Sequence, residues 1–168
     1  HPNRYKDVFF ALSHGVNYGK LKRSKIDERE ILINKLIKKF PDINYNFLGV
    51  ANESPKWNYD YYNELLKCKM ALNLSRGNPL KYTSSNRIAS LIGNGIYTFI
   101  DVKTKYRDFF NENEIGTYNS IEELGKKIEN LKSNPKKINE YGKAGKKKYF
   151  KLFNNIKISK EIISKIYN

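Results

Sequence analysis

The sequence predicts an α/β fold built on a Rossmann-like, doubly wound parallel sheet. Short apolar runs, such as 70–74 and 96–100, alternate along the chain with segments whose apolar residues recur at helical spacing. Strands that alternate with helices are typical of βαβ units, which form parallel sheets. With 168 residues, the chain is long enough to bury a core of this kind as one domain.

The first half of the chain begins this alternation. The predicted order is a strand at 7–13, a basic loop containing glycines at 14–25, a helix at 27–40, a strand at 43–50 and a helix at 58–69. Asp27 can cap the first helix, because its carboxylate can accept hydrogen bonds from the free N–H groups of the first turn. Ile33, Leu36 and Phe40 lie at helical spacing and form its buried stripe, and Pro41 ends the helix.

The second half continues in the same way. The predicted order is a strand at 70–74, a helix from 84 or 85 to 93, a strand at 96–100, a loop or short helix at 104–113, a brief strand at 115–118, and helices that begin near 120, 134 and 154. Ser120 and Glu123 have the spacing of a capping box. Gly93 and Gly95 are interpreted as the end of a helix and the tight entry to the next strand, where they shape the neighbouring site.

Most of the candidate chemistry follows the strand at 70–74. The polar and flexible residues that gather there are Ser75, Arg76, Gly77, Ser84, Ser85 and Arg87. Open parallel sheets bind ligands outside the carboxyl ends of their strands, and a helix N-terminus beside an arginine favours phosphate. Arg87 is the strongest candidate, because a cation in the first turn opposes the helix dipole unless an anion accompanies it. The sequence therefore predicts a site for a phosphorylated ligand.

Simpler interpretations of the same residues stay open. Ser84 and Ser85 are suited to capping the helix, a role that is compatible with facing a phosphate. Gly77 is also explained by a turn, and Arg76 by exposure to solvent.

The stretch Ser-Asn-Arg-Ile, followed shortly by Gly-Asn-Gly, resembles the Ser-x-Arg…Gly element of group 1 glycosyltransferases of the GT-B fold. The later stretch 106–131, with its Asp-Phe-Phe and Ile-Glu-Glu-Leu, is similar to the CgeB/YkvP-like spore-maturation branch of that group. The resemblance covers about 7–153 and is densest at 70–131. It implies the carboxyl-terminal, donor-binding half of a two-domain enzyme that transfers a sugar from a nucleotide-sugar donor to an acceptor.

The resemblance also implies further donor-binding residues. In related enzymes the loop after the first strand faces the donor diphosphate. Here Lys20, Lys22 or Arg23 could do so, as could Arg29 on the next helix, and the sequence does not choose among them. Ser90 stands where many of these enzymes carry a glutamate that holds the donor ribose.

The resemblance divides the chain as well. Residues 1–153 are expected to form the nucleotide-sugar-binding domain, and 154–168 a C-terminal helix that packs on a missing amino-terminal half. That half is the expected partner, and it is also the expected source of the base that activates the acceptor. The chain begins with His1 rather than Met, as expected for a piece of a longer protein.

No metal or cofactor motif is visible. The sequence has no Asp-x-Asp, its two histidines are isolated, and Cys68 is its only cysteine. A site without a metal must stabilise a departing diphosphate with fixed cations and backbone N–H groups, so we expect a metal-independent mechanism without a cofactor. A single cysteine excludes a disulfide framework and favours a reducing, cytoplasmic location.

The chain is strongly basic, with 32 Lys and Arg against 17 Asp and Glu and a net charge of +15. Compositional drift with a solvated surface is the favoured interpretation, because Asn, Ile and Tyr are plentiful as well. The alternative is an anionic partner, for which peripheral contact of the lysine-rich C-terminal region with an anionic membrane ranks ahead of nucleic acid, since no nucleic-acid-binding motif is present. A non-catalytic Rossmann-like nucleotide- or anion-binding module and a basic nucleic-acid-binding domain are therefore the alternatives to a glycosyltransferase.

Overall fold

The fold is an α/β sandwich around one parallel sheet, as the sequence predicts. The computed structural model describes residues 4–13 and 27–167. Within these ranges the strands are β1 (Lys6–Ala11), β2 (Tyr45–Leu48), β3 (Cys68–Asn73), β4 (Tyr97–Asp101) and β5 (Gly116–Tyr118). They are ordered β2-β1-β3-β4-β5, and every neighbouring pair is parallel. β1 and β3 therefore lie side by side at the centre, although β2 comes between them in the chain.

Helices cover both faces of the sheet, which makes it doubly wound. The helices of the described ranges are α1 (Glu28–Lys39), α2 (Asn58–Leu66), α3 (Asn86–Gly93), α4 (Ile121–Lys132), α5 (Pro135–Leu152) and α6 (Asn155–Tyr167). Apolar side chains of α1, α4 and α5 pack with Val8 and Phe10 of β1 on one face. Those of α2 and α3 pack with Phe9 and Ala71 on the other. Burial on both faces explains why the strands are apolar at successive positions rather than at every second one.

The predicted N-caps at Asp27 and Ser120 are confirmed, with one difference in detail. Asp27 accepts a hydrogen bond from the backbone N–H of Arg29, and Ser120 accepts one from that of Glu123. In a capping box the Glu123 carboxylate would return to the N–H of Ser120. It accepts instead from the backbone N–H of Asn119, at 2.9 Å, so this return hydrogen bond goes to the residue before Ser120.

The predicted end of one helix is wrong and that of another is confirmed. The helix predicted at 58–69 ends at Leu66, because Cys68 already pairs with Lys6 in the sheet. The predicted end of the next helix at Gly93 is confirmed, with Asn94 as its C-cap, and Gly95, with φ +68°, is the left-handed residue at the tight entry to β4. The segment 104–113 contains a short 3₁₀ turn, Tyr106–Asp108, in line with the predicted loop or short helix.

The last helix, α6, stands apart from the core. None of its residues is buried. We expect this helix to pack on an amino-terminal half of the protein, and that contact stays a prediction. Within the described ranges, no helix has both the length and the apolar character needed to cross a membrane.

Candidate functional site

The order of the strands creates a crevice at the centre of the sheet. From β1 the chain passes through α1 to β2 on one side, and from β3 it passes through α3 to β4 on the other. Ligands of open α/β sheets bind at such a switch point, outside the carboxyl ends of the two central strands. A cavity of about 330 Å³ lies there. Its lining consists of Arg29, Asn73, Leu74, Ser75, Arg76, Asn78, Leu80, Thr83, Ser85 and Arg87.

Arg87 is held in place from two sides. Its Nη1 donates a hydrogen bond of 2.8 Å to the carbonyl of Leu74, and its guanidinium lies 5.2 Å from the centre of the Phe10 ring. A position in the first turn of a helix predicts an exposed cation, but Arg87 is half-buried against the end of β1. Burial lowers the pKa of Arg87, and the positive charge of Arg29 lowers it further. A bound anion would relieve both effects.

Arg29 is the second fixed cation of the cavity. Its Nε donates to Asp27 Oδ1 at 2.8 Å and its Nη2 to Oδ2 at 2.6 Å, so the two side chains form a bidentate pair. The Arg29 side chain is 12% exposed and that of Asp27 is 6% exposed. Among the cations that the sequence left open for the second diphosphate contact, the structure brings Arg29 to the cavity. Lys20, Lys22 and Arg23 lie outside the described residues.

Asp27 is the counterion of this cluster. Its hydrogen bonds from Arg29 and the charges of Arg29 and Arg76 hold the pKa of its carboxyl at about 2, although burial opposes this shift. Three guanidinium groups therefore surround the cavity with one carboxylate beside them. The excess positive charge favours an anion that carries more than one negative charge, such as a diphosphate.

The start of α3 adds backbone donors. Ser85 caps this helix: its hydroxyl accepts from the backbone N–H of Ile88 and lies 3.4 Å from Asn73 Oδ1. The N–H groups of a helix's first turn have no acceptors within the helix and carry the positive end of its dipole. Both features suit a phosphate beside Arg87.

Ser84 does not line this cavity, although the sequence placed it beside the phosphate with Ser85. The backbone at Ser85 is extended, with φ −143° and ψ 156°, so the side chains of Ser84 and Ser85 point in opposite directions. The Ser84 side chain lies beside Tyr106 instead, where it partly offsets the rise in the pKa of Tyr106 that burial causes. It lines a second, aromatic cavity of about 120 Å³, together with Tyr82, Tyr106, Phe109, Tyr149 and Phe153.

The remaining predicted residues, which are Ser90, Gly77, Gly93 and Gly95, do not line the central cavity. Ser90 is half-buried on α3, does not line the cavity, and accepts a hydrogen bond at its carbonyl from Asn94 Nδ2 at 2.7 Å. Gly77 has a φ of +66°, which favours glycine in the turn that follows Arg76. Gly93 ends α3 and Gly95 follows it, at the end of the helix away from the cavity, so their role in shaping the site stays a prediction.

Asn73 is a lining residue that the sequence analysis missed. It is the last residue of β3, it is 5% exposed, and its side-chain oxygen lies against the Ser85 hydroxyl. The available signal was a polar side chain that closes an otherwise apolar strand, since a buried amide requires a partner.

The described residues 4–13 and 27–167 contain no group of three His, Cys, Asp or Glu side chains that could hold a metal ion. Metal independence stays a prediction. Cys68 is buried, and burial raises the pKa of its thiol to about 12, so it is not a thiolate nucleophile.

The Asp27–Arg29 pair should be visible in the pH dependence of stability. The Asp27 carboxyl has a pKa of about 2 in the folded chain and ~3.9 when unfolded, so its stabilisation is complete above about pH 4 and is lost as the pH falls towards 2. We expect Asp27→Asn, which retains a capping side chain, to lower the free energy of unfolding by about 2 kcal/mol at neutral pH. Urea unfolding at a series of pH values measures this difference, which should shrink below pH 4. A difference that does not change with pH would contradict the pairing.

Comparison with known proteins assigns the chain to a family. A family model described as glycosyl transferase-like matches residues 23–164. The matched segment includes most of the chain and every lining residue of the central cavity. Neither a curated protein nor a solved structure matches the chain.

Proposed function

We propose that this chain, which belongs to the glycosyl transferase-like family, is the domain that binds the nucleotide-sugar donor during sugar transfer. The observation that carries the proposal is the pair of fixed guanidinium groups, Arg29 and Arg87, in the cavity at the switch point of the sheet. The diphosphate of the donor would lie between them and the start of α3. The resemblance of the stretch 106–131 supports placing the chain in the CgeB-like branch of the family.

The chemistry explains why these cations are held rigidly. Sugar transfer breaks the bond between the anomeric carbon and the diphosphate, and negative charge develops on the departing oxygen. Donors that already point at this oxygen stabilise the transition state by several kcal/mol, because they need not reorganise when the charge appears. Leu74 and Phe10 fix Arg87, and Asp27 fixes Arg29. Arg87 donates one N–H to the carbonyl of Leu74, and the other N–H groups of its guanidinium can bind the ligand.

The domain would form one wall of a cleft. A second, amino-terminal half would supply the other wall, the acceptor site and the general base. A non-catalytic nucleotide-binding module is the second candidate, and Ser90 favours it, because a serine cannot hold the donor ribose as a longer carboxylate does. Sugar transfer by the chain together with its second half would separate the two candidates.

The proposed mechanism needs no divalent cation. We expect titration calorimetry to detect binding of a nucleoside diphosphate in the high-micromolar to millimolar range, about −4 to −6 kcal/mol. The affinity should be the same in magnesium and in excess chelator, because Arg29, Arg87 and the α3 N-terminus take the place of the metal. Inorganic phosphate should bind more weakly than the diphosphate. Absence of diphosphate binding in either buffer would contradict the donor site, and binding that chelator reversibly removes would contradict only the metal-free mechanism.

A further inference from the structure

The aromatic cavity lies beside the central one, on the other side of the loop that leads into α3. Its lining is aromatic apart from Ser84. Side chains of the loop alternate between the two cavities, since Thr83 and Ser85 line the central one whereas Tyr82 and Ser84 line the aromatic one. Among the described residues, the two cavities share no lining side chain. The aromatic cavity can therefore hold a ligand of its own.

Tyr82 is fixed at this cavity by several contacts. Its backbone N–H donates to the carbonyl of Thr104 at 2.9 Å, and its hydroxyl donates to Asp108 Oδ2 at 2.6 Å. Its φ of +58° lies in the left-handed region, which is unfavourable for a tyrosine. The residue nevertheless stays 42% exposed. Strained backbone occurs preferentially at ligand-binding positions, so a strained residue that presents an uncovered ring indicates a ligand site.

The aromatic rings form a floor and a rim. Tyr106 is buried and Tyr149 is half-buried, so these two rings form the floor. Phe109 and Phe153 are 37% and 40% exposed and form the rim together with Tyr82. A closed cavity of ~150 Å³ holds benzene. The aromatic cavity is slightly smaller but has an exposed rim, so it admits one six-membered ring whose substituents remain in water.

We propose that the aromatic cavity binds one pyranose ring of an acceptor glycan, as a carbohydrate site separate from the donor site. A pyranose ring has a face of C–H bonds and an edge of hydroxyl groups. The C–H bonds carry a slight positive charge and are attracted to the negative face of an aromatic ring. The Ser84 hydroxyl and the Asp108 carboxylate, which lies against the Tyr82 hydroxyl, offer hydrogen bonds to the hydroxyl groups.

Other classes of ligand fit this cavity less well. Within the described ranges its lining contains neither lysine nor arginine, so it offers no cation to a phosphate. An organic cation would be repelled, because Lys81 Nζ already lies 4.6 Å from the centre of the Tyr82 ring. A purely apolar ligand would gain nothing from Ser84 and Asp108. A sugar ring uses both the aromatic faces and the polar groups.

The position of the cavity is compatible with a glycan that extends out of the proposed cleft. Phe153 follows the last residue of α5, and α6 begins at Asn155. Since α6 is expected to pack on the amino-terminal half, the cavity would lie where the two halves approach each other. The sugar bound here would be a residue of the acceptor other than the one that reacts. The site does not depend on the donor site, so either proposal can fail without the other.

Saturation-transfer NMR of the whole chain with methyl glycosides tests the proposal. The probes are the methyl β-glycosides of glucose, galactose, mannose and N-acetylglucosamine. At least one should bind in the millimolar range, with the strongest transfer to its ring C–H protons. Tyr82→Ala and Phe153→Ala, which change two separate segments of the chain, should each weaken this binding about fivefold. Neither residue is buried, so the fold should survive, which circular dichroism and a melting curve would verify.

Tyr59→Ala is the matched control, since Tyr59 is 77% exposed on α2, and it should bind the glycoside as the wild type does. Uridine and uridine diphosphate serve as competitors, and neither should displace the glycoside. Any of three results would overturn the proposal. One is that none of the glycosides binds, and another is binding that either Tyr82→Ala or Phe153→Ala leaves unchanged. The third is displacement by a competitor, which would assign the sugar to the central cavity or the aromatic cavity to the base of the donor.

Discussion

Arg87→Ala is expected to abolish measurable binding of a nucleoside diphosphate while the chain remains folded. The guanidinium offers charge-assisted hydrogen bonds to the diphosphate, each worth about 1.5–3 kcal/mol, and alanine replaces none of them. A loss of about 2–4 kcal/mol from a site of millimolar affinity moves binding beyond detection. The substitution also removes the bond to Leu74 and the contact with Phe10, so a lower melting temperature is expected, corresponding to about 1–2 kcal/mol.

Two matched variants separate charge, geometry and stability. Arg87→Lys keeps the charge but loses the planar fork, so it should recover only part of the affinity. Arg107→Ala removes an exposed arginine that pairs with Glu112 away from the cavity, and it should change neither affinity nor fold. Titration calorimetry and thermal melts of the three variants form one experiment. Unchanged affinity in a folded Arg87→Ala chain would show that the diphosphate binds elsewhere.

The second large effect is an expected absence of turnover: these 168 residues alone should bind a nucleotide sugar weakly and transfer no sugar. The proposed cleft lies between two halves, and one half offers one wall. The acceptor site, the exclusion of water and the acceptor-activating base would be missing. Positioning and a preorganised charge field together can lower a barrier by more than ~10 kcal/mol, and most of that contribution requires both walls.

A ligand-observed NMR screen of nucleotide sugars, paired with a turnover assay on every donor that binds, measures this expectation. The assay should also follow slow hydrolysis of the donor, which needs no acceptor other than water. Arg87→Ala serves as the control for binding at the proposed site. Robust transfer by the chain alone would mean that the site is self-contained, and the two-half architecture would then be wrong.

The predictions that the structure confirms rest on short-range rules. Helical spacing located α1, and the cap at Asp27 follows from a carboxylate placed just before that helix. The alternation of apolar runs and helices was enough to predict the parallel sheet. The cluster from Ser75 to Arg87 could be located because one strand, one loop and one helix bring its residues together within a single stretch of chain.

The structure decided which of the candidate cations meet. Arg29 joins Arg87 because β1 and β3 are neighbours, and no local pattern encodes the order of strands. Arg87 proved half-buried because Phe10, from another strand, lies beneath it. The aromatic cavity beyond Ser84 is likewise assembled from distant segments.

The sequence by itself therefore determined the fold class, the helix caps and the stretch that carries the site. These features depend on periodicity and on contacts between residues close in the chain, which each segment encodes independently. Only the tertiary structure decided that Arg29 lines the central cavity with Asp27 beside it, that Ser84 faces away from this cavity, and that the isoleucines of α6 stay uncovered by the rest of the described chain. Each of these depends on which strands pair and which faces meet, and that outcome belongs to the packing of the whole domain.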